Sequence, residues 1–340
     1  MVSFGIRQYP PYKSLNLQNS FVPATLFAFA GSVLVLLTLL KTGFAWRIAT
    51  DVPNDRSLHT QITPRVGGWG VTPVSALLIV IFAFPLWPIA LLAFALGLVS
   101  QLDDRRGLPA RVRFSAHLLG AAILVLVQPA LYPWPVAIVA VVAIVWICNL
   151  YNFMDGANGI AGGMAVIGFG CFSAAAYSSH PAISIAAAIV AASSAGFLIF
   201  NFPLAKMFLG DAGSIPLGFL AGGLGYCGWT AGAWPFWFPV FVFSPFIADA
   251  TVTLIKRLVR GEKFWQAHRQ HYYQRMIGMA GAHAPVVLRW YAVMIAGILL
   301  ALWALVLPDV WSVVVMACWT LFLVTLGLNV DRRWRYKPAY

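Results

Sequence analysis

The chain has 340 residues, is 61% hydrophobic and only 9% charged, and has a mean hydropathy of +0.82. A soluble domain carries about 25% charged residues, and here the apolar runs extend over the whole length, so a soluble enzyme with a single anchor is excluded. The 22 Lys and Arg residues outnumber the 10 Asp and Glu residues, giving a net charge of +12.

Residues 1–20 are polar and contain proline. No small-residue cleavage site follows a short apolar stretch, so no cleavable signal peptide is expected and the first span is retained. Eleven spans are predicted, at about 21–41, 67–85, 86–100, 114–132, 134–150, 160–178, 182–202, 214–230, 234–256, 285–307 and 310–329. No internal repeat or linker interrupts them, so residues 1–340 form one membrane domain. With eleven spans, all Lys and Arg except Arg7 and Lys13 fall on one side or at its span ends. Positive loops stay cytoplasmic, which places the N-terminus outside and the tail through Lys337 inside. Of the acidic residues, Asp309 alone lies outside. Ionisable groups at one mouth, rather than mid-span, suit an enzyme better than a transporter. Cys148, Cys171, Cys227 and Cys318 all lie in apolar runs without C-x-x-C spacing and read as buried small hydrophobes.

The inner loops, at 42–66, 101–113, 150–159, 203–213 and 256–284, carry the chemistry. The first holds Asp51, Asp55, Arg56, His59 and Arg65 and ends on Gly67-Gly68. That glycine pair permits close backbone approach, to a ligand or to another helix. In the second, Asp103 and Asp104 are followed by Arg105, Arg106, Arg111 and Arg113. Consecutive side chains on a helical end diverge by about 100°. The two aspartates therefore serve different atoms, one facing substrate and the other bracing an arginine. Arg111 and Arg113 suit phosphate by planar forks, and positive-inside topology competes as an explanation for any one of these arginines.

The third loop is the most specific. Asn149, Asn152 and Asp155 recur every third residue and share a face if helical, followed by Gly156, Asn158 and Gly159. Amide and carboxylate oxygens suit a hard cation such as Mg²⁺, and an amide can also match the edge of a pyrimidine base. The fourth loop contains Lys206 and the turn Gly210-Asp211-Ala212-Gly213-Ser214, which puts a carboxylate beside free N–H groups at a helix start. A plain N-cap by Asp211 or Ser214 is the competing account. The fifth loop is the longest and most basic. Its Arg269 and His271 can hold a pyrophosphate, whereas His268 and His271 lack a third ligand for zinc. Asp249 sits inside the ninth span, where pairing with a cation is expected.

Taken in order, Asp51-x-Pro53-Asn54-x-Arg56-Ser57-x-His59-Thr60, Pro64-Arg65-x-Gly67-Gly68, Asp103-Asp104, Asn149-x-x-Asn152-x-x-Asp155-Gly156, Phe200-Asn201-x-Pro203, Gly210-Asp211-x-Gly213-Ser214 and His268-Arg269-x-His271 match a family. Over about residues 45–280 the chain resembles the polyprenyl-phosphate N-acetylhexosamine-1-phosphate transferases, and most closely the bacterial members that initiate O-antigen or related surface polysaccharides. The resemblance implies an all-α polytopic enzyme of the bacterial inner membrane with its site on the cytoplasmic face. It implies transfer of a sugar 1-phosphate from a UDP-N-acetylhexosamine to undecaprenyl phosphate, releasing UMP, with Mg²⁺ or Mn²⁺ as cofactor. Partners are these two substrates, the bilayer and a second copy in a homodimer, with no nucleic acid. On the matching positions it implies Asp103, Asp104 and Asp155 as catalytic residues and Asp211 with Asn152 at the metal. It further implies Asn149, Asn158, Lys206, Arg269 and His271 at the nucleotide and sugar phosphate, and Arg56, His59 and Arg113 at the lipid phosphate. Two departures stand out. Asn158 replaces a common aspartate, and His271-Tyr272-Tyr273-Gln274 replaces a run richer in histidine, which argues against the peptidoglycan precursor enzyme.

The expected chemistry is direct attack of the lipid phosphate on the β-phosphorus, with an aspartyl-phosphate intermediate as the rival. A transporter or scramblase of an anionic phosphorylated lipid is the alternative from another class. A CDP-alcohol phosphotransferase is discounted, because Asp155-Gly156-Ala157-Asn158 lacks the Ala-Arg that such enzymes carry.

Overall fold

The computed structural model describes residues 17–53, 61–128, 133–263 and 268–335. Its helices are α1 (Leu17–Lys41), α2 (Ala45–Ile48), α3 (Gly67–Phe82), α4 (Trp87–Arg106), α5 (Ala110–Val127), α6 (Trp134–Phe153) and α7 (Ile160–Ala176). They continue with α8 (Pro181–Asn201), α9 (Asp211–Ala231), α10 (Trp237–Val242), α11 (Ser244–Val259), α12 (Tyr272–Ala280), α13 (His283–Ala304) and α14 (Asp309–Arg335). Among the described residues every expected span overlaps a helix, residues 129–132 of the span at 114–132 lying outside them, and seven helices are long and apolar enough to cross a bilayer. Gly68–Phe82 and Ile160–Ala176 are shorter apolar helices.

The apolar surface identifies the solvent. Leu26, Phe27, Val310 and Leu321 are each more than half exposed on α1 or α14. Such surface is costly in water and ordinary in hydrocarbon. The best apolar window of α14 is only 17% buried, whereas that of α8 is 78% buried, so α14 faces lipid and α8 lies inside. The chain is a multi-pass membrane protein.

At the centre stands α9, packed against α3 to α8 and α10. Its small residues permit this. A Cβ on Gly218 would meet Cys148 and Tyr151 of α6, and one on Gly223 would meet Ile89 and Leu124. Without a hydrophobic force between helices in lipid, such close backbone approach supplies the packing. The first residue of α9 is Asp211, so the central helix delivers that carboxylate to the middle of the bundle's polar end.

Four local features differ from the expectation of helices joined by loops. The strand pair β1 (Thr50–Asp51) and β2 (Thr63–Pro64) is antiparallel, so the chain is nearly but not wholly α. α4 runs on to Arg106, which places Asp103 and Asp104 on its last turn and not in a loop. The expected span at 234–256 is broken into α10 and α11 at Phe243. Pro245 cannot continue the helical bonding there, and Ser244 takes up the break, its hydroxyl donating to the Phe241 carbonyl at 2.6 Å and accepting from the Trp319 indole at 2.8 Å. Finally, the basic loop contains the amphipathic helix α12.

Candidate active site

The first loop returns to the membrane along the turn that precedes α9. Phe208 N–H donates to the Pro64 carbonyl, Gly67 N–H to Phe208 and Gly68 N–H to Leu209, each at 2.8 Å. A Cβ on Gly68 would fall into the backbone of Ala212 and Gly213. Close helix packing therefore accounts for the Gly67-Gly68 pair. The contact carries Arg65 over the acidic turn.

Arg65 is the hub of the site. Its guanidinium lies 3.6 Å from Asp104 Oδ1 and 3.8 Å from Asp51 Oδ2. Burial pulls its pKa down, but the charges of Asp104, Asp51, Asp211 and Asp155 outweigh that and hold the guanidinium charged. In the opposite sense, burial raises the Asp155 carboxyl well above the usual carboxylate range, and Asp211 and Asp104 add to the rise against the pull of Arg65.

Asp103 and Asp104 diverge as the helical geometry requires. Asp103 accepts from Leu108 N–H at 2.6 Å and from Arg113 Nη1 at 2.9 Å, so it closes the end of α4 and braces an arginine. Asp104 turns to Arg65, and its Oδ2 is buried without a hydrogen-bond partner. Asp211 Oδ1 accepts from Asn152 Nδ2 at 2.9 Å, and the same amide group donates to Ser214 Oγ at 2.9 Å. Asn152 therefore orients Asp211 through its nitrogen and keeps its amide oxygen for another partner. Neither Asp211 nor Ser214 caps α9 through its side chain, because Gly210 is the cap residue and makes no side-chain bond.

Two cavities are lined by different members of this carboxylate group. A polar one of about 80 Å³ is lined by Asp51, Arg65, Asp155, Asn158, Asn201 and His283. A cleft of about 480 Å³ has Asp103, Arg113, His117, Asn149, Asn152 and Asp211 at its polar end, and Phe114, Leu118, Val142, Trp146 and Leu254 along its apolar walls.

The Asp155 turn is held on three sides. Gly159 N–H donates to Asn201 Oδ1 at 2.6 Å, Tyr291 hydroxyl to the Gly159 carbonyl at 2.7 Å, and Tyr273 hydroxyl to the Phe153 carbonyl at 3.1 Å. Asn158 N–H donates to His283 Nδ1 at 3.2 Å, and its side chain donates to the Pro203 carbonyl at 3.3 Å. Asn158 thus sits on the polar cavity, while Asn149 sits in the apolar cleft on the far side of the carboxylates.

The basic loop is placed differently from the expectation that it lies over a pyrophosphate. His271 is buried, with its ring against Phe153 and Tyr273 and its Nδ1 3.2 Å from Asp249 Oδ1. Asp249 also accepts from Tyr272 N–H at 2.8 Å and Tyr273 N–H at 3.0 Å. The pair anchors the start of α12 and lines neither cavity, which corrects the placement of His271 among the phosphate ligands. Burial, with His271 and Arg257 adding, lowers the neighbouring His268 to about 4, so it is neutral at physiological pH. Arg269 and Lys206 are exposed and line neither cavity. Arg56 and His59 fall outside the described residues.

Sequence reasoning missed four residues of the site. Arg65 and Asn201 were visible as motif members without an assigned role. His117 and His283 carried no motif signal at all.

A hard divalent cation fits this donor set in one way. Among the described residues no three acids or histidines converge as a cage. Mg²⁺ commonly takes one or two carboxylates and completes its shell with substrate phosphates and water. The partnerless Asp104 oxygen and the surplus of carboxylates over cations suit that use.

A family model described as glycosyl transferase family 4 matches residues 86–228. A probable undecaprenyl-phosphate N-acetylglucosaminyl 1-phosphate transferase of Bacillus subtilis is 27% identical, covering 88% of this chain and 89% of the relative. A decaprenyl-phosphate N-acetylglucosaminephosphotransferase of Mycobacterium leprae is 26% identical over 81% of this chain and 82% of its own. A phospho-N-acetylmuramoyl-pentapeptide-transferase of Picosynechococcus is 29% identical over 67% of this chain and 69% of its own.

Proposed function

The chain belongs to the polyprenyl-phosphate hexosamine-1-phosphate transferases of glycosyl transferase family 4, and on that footing we propose that it transfers an N-acetylhexosamine 1-phosphate from a UDP-sugar to undecaprenyl phosphate, releasing UMP, as the first membrane step of an O-antigen or similar surface glycan. The observation that carries this reading is a pair of cavities lined by carboxylates that all act on Arg65, Asp51 and Asp155 in one and Asp211 in the other. The polar pocket, of about 80 Å³, suits a polar end of a nucleotide sugar whose remainder lies outside it, and an apolar cleft with a charged end suits a lipid phosphate. A lipid transporter finds no comparable support, because the ionisable cluster sits at a bundle end and the relatives carry transferase names.

In this reading Asn158 lies beside the uracil, and Arg65 neutralises the donor diphosphate. Arg113, held by Asp103, meets the acceptor phosphate from the cleft side. Asp211, oriented by Asn152, would hold Mg²⁺ or Mn²⁺, which when bound supplies charge neutralisation at the diphosphate. The acceptor phosphate oxygen attacks the β-phosphorus, the new P–O bond forms, and the α,β-bridging P–O bond breaks with its electron pair leaving on UMP. Aligning two anions and shielding their repulsion is most of the work. The accompanying topology is eleven spans with the site facing the cytoplasm, as the Lys and Arg asymmetry suggests.

The test is purified protein with Mg²⁺, undecaprenyl phosphate and a panel of UDP-N-acetyl sugars, reading UMP release. Release that depends on both the lipid phosphate and one sugar nucleotide is the expected result. No release with any member of the panel would sink the proposal.

A further inference from the structure

The start of α12 meets the Asp155 turn through a tyrosine that the transfer chemistry above does not use. Tyr273 is fully buried and lines neither cavity. Its hydroxyl donates to the Phe153 carbonyl at 3.1 Å, on one side of Asp155. On the other side, a Cβ on Gly156 would overlap that same phenol oxygen. Gly156 is not among the glycines with positive φ, so its backbone does not call for glycine. The phenol does.

Tyr273 is itself held from both ends. Its ring stacks on His271, with centroids 5.9 Å apart and planes 18° apart. Its N–H donates to Asp249 Oδ2 at 3.0 Å, while Asp249 Oδ1 accepts from Tyr272 N–H at 2.8 Å. A carboxylate that takes two consecutive N–H groups on its two oxygens fixes a helix start in place and in direction. Asp249 belongs to α11, so the first turn of α12 is fastened to the helical bundle and not to another loop. The stretch 153–156 is thereby held at the end of α6 by its own helix and, through one phenol oxygen, by α11. Asn158, further along the turn, is held separately by His283 and the Pro203 carbonyl.

We propose that Tyr273 is a positioning residue, whose hydroxyl clasps the turn on both sides of Asp155 and so sets where that carboxyl stands in the polar cavity. Asp155 lines this cavity with Asp51 and Arg65. A group that acts on reacting phosphates has to be held within about 0.5 Å of its working place, and a displacement of about 1 Å can cost about a hundredfold in rate. Because Tyr273 lines neither cavity, it reaches the chemistry only through the turn. Because Asn158 has its own supports, loosening the clasp moves Asp155 and leaves the wall that Asn158 provides. The signature is a loss of rate without a loss of binding.

The inference rests on the reading that Asp155 serves the transfer step, so its test joins turnover to melting of the purified full chain. The variants are Tyr273→Phe, Gly156→Ala and the two combined. Phenylalanine keeps the ring and removes only the oxygen. Tyr273→Phe should lower kcat on the order of tenfold, with the KM values for UDP-sugar and lipid phosphate each within about twofold of wild type. Gly156→Ala should lower kcat further and lower the melting temperature, because the new methyl group and the phenol oxygen cannot share one place. Adding Tyr273→Phe to Gly156→Ala should then raise both kcat and melting temperature above the Gly156→Ala values, since the nearest ring atom that remains lies 3.2 Å from the added Cβ. A change that harms the wild type and rescues the alanine variant is not produced by a general loss of stability. Wild-type kcat in Tyr273→Phe overturns the inference, as does a raised UDP-sugar KM at unchanged kcat or a combined variant no better than Gly156→Ala. If wild type transfers no sugar yet the combined variant melts above Gly156→Ala, the donor reading fails and the clasp stands.

Discussion

Two charged clusters in this molecule are built from the same residue types to opposite ends. In one, Asp331 lies between Lys256 and Arg275, with 2.8 Å to Arg275 Nη1. The Tyr272 hydroxyl reaches Lys256 and Asp331, and both cations sit over its ring at 5.0 and 4.6 Å. Both oxygens of the one acid there are bonded to cations, and the cluster ties α11, α12 and α14 together. In the other, Arg65 faces Asp51, Asp104, Asp155 and Asp211, and one Asp104 oxygen has no partner. A cluster that leaves negative charge uncompensated is poor architecture and a good receptor for cations. The difference teaches that an excess of acid over cation, more than the mere presence of buried charge, marks where this protein works.

The comparison is broken most directly by neutralising one acid from each cluster. Asp211→Asn should lower kcat by about a hundredfold or more, because an amide is a weak ligand for a hard cation, while melting stays near that of wild type. Near-normal turnover at saturating Mg²⁺ would remove Asp211 from the metal. A smaller effect is expected at the polar pocket, where Asn158→Ala should raise the UDP-sugar KM by an equivalent of about 1–3 kcal/mol with the lipid KM little changed. Kinetics with each substrate varied in turn decide it. In the Asp331 cluster, Asp331→Asn should cost about 1–2 kcal/mol of stability, seen as a lower melting temperature, with kcat per folded molecule unchanged. A catalytic defect in folded Asp331→Asn protein would contradict the division between the clusters.

The smallest effect sharpens the comparison through pH. Asp155, with its carboxyl raised by burial, keeps its proton in the native state where the unfolded chain has already released it. The native state then binds more protons, so this group's contribution to stability falls as pH rises from the ordinary carboxylate value, by at most about 1.4 kcal/mol per pH unit. Without divalent cation, Asp155→Asn should therefore melt increasingly above wild type as pH rises, and saturating Mg²⁺ should narrow the gap. A gap independent of pH would show that Asp155 ionises freely.

Much of this arrangement is legible in the chain itself. The long apolar runs locate the helices, because hydrocarbon demands about 20 apolar residues per crossing. The divergence of Asp103 and Asp104 follows from helical geometry alone. Arg65 as hub is not legible, because its position depends on backbone pairing with Phe208, far away in sequence. The two-residue strands that help place it are too short to leave a periodic signal. His271 misleads for a related reason. A histidine in a basic loop looks like a phosphate ligand until Asp249, inside an apolar span, is seen to claim its ring. His117 hides within the apolar run that continues α5, and only the cleft gives it meaning.

The contact between Gly68 and the backbone of Ala212 and Gly213 bears on how such proteins can diverge. Two segments distant in sequence lie so close that neither has room for a methyl group, and together they fix Arg65 beside the turn that leads to Asp211. They are not portable separately. A chimera that imports the first loop from a relative inherits a backbone path that its own α9 turn has to match. Changes in donor preference can therefore accumulate at the rims of the two cavities, while these two segments are exchanged together or left alone.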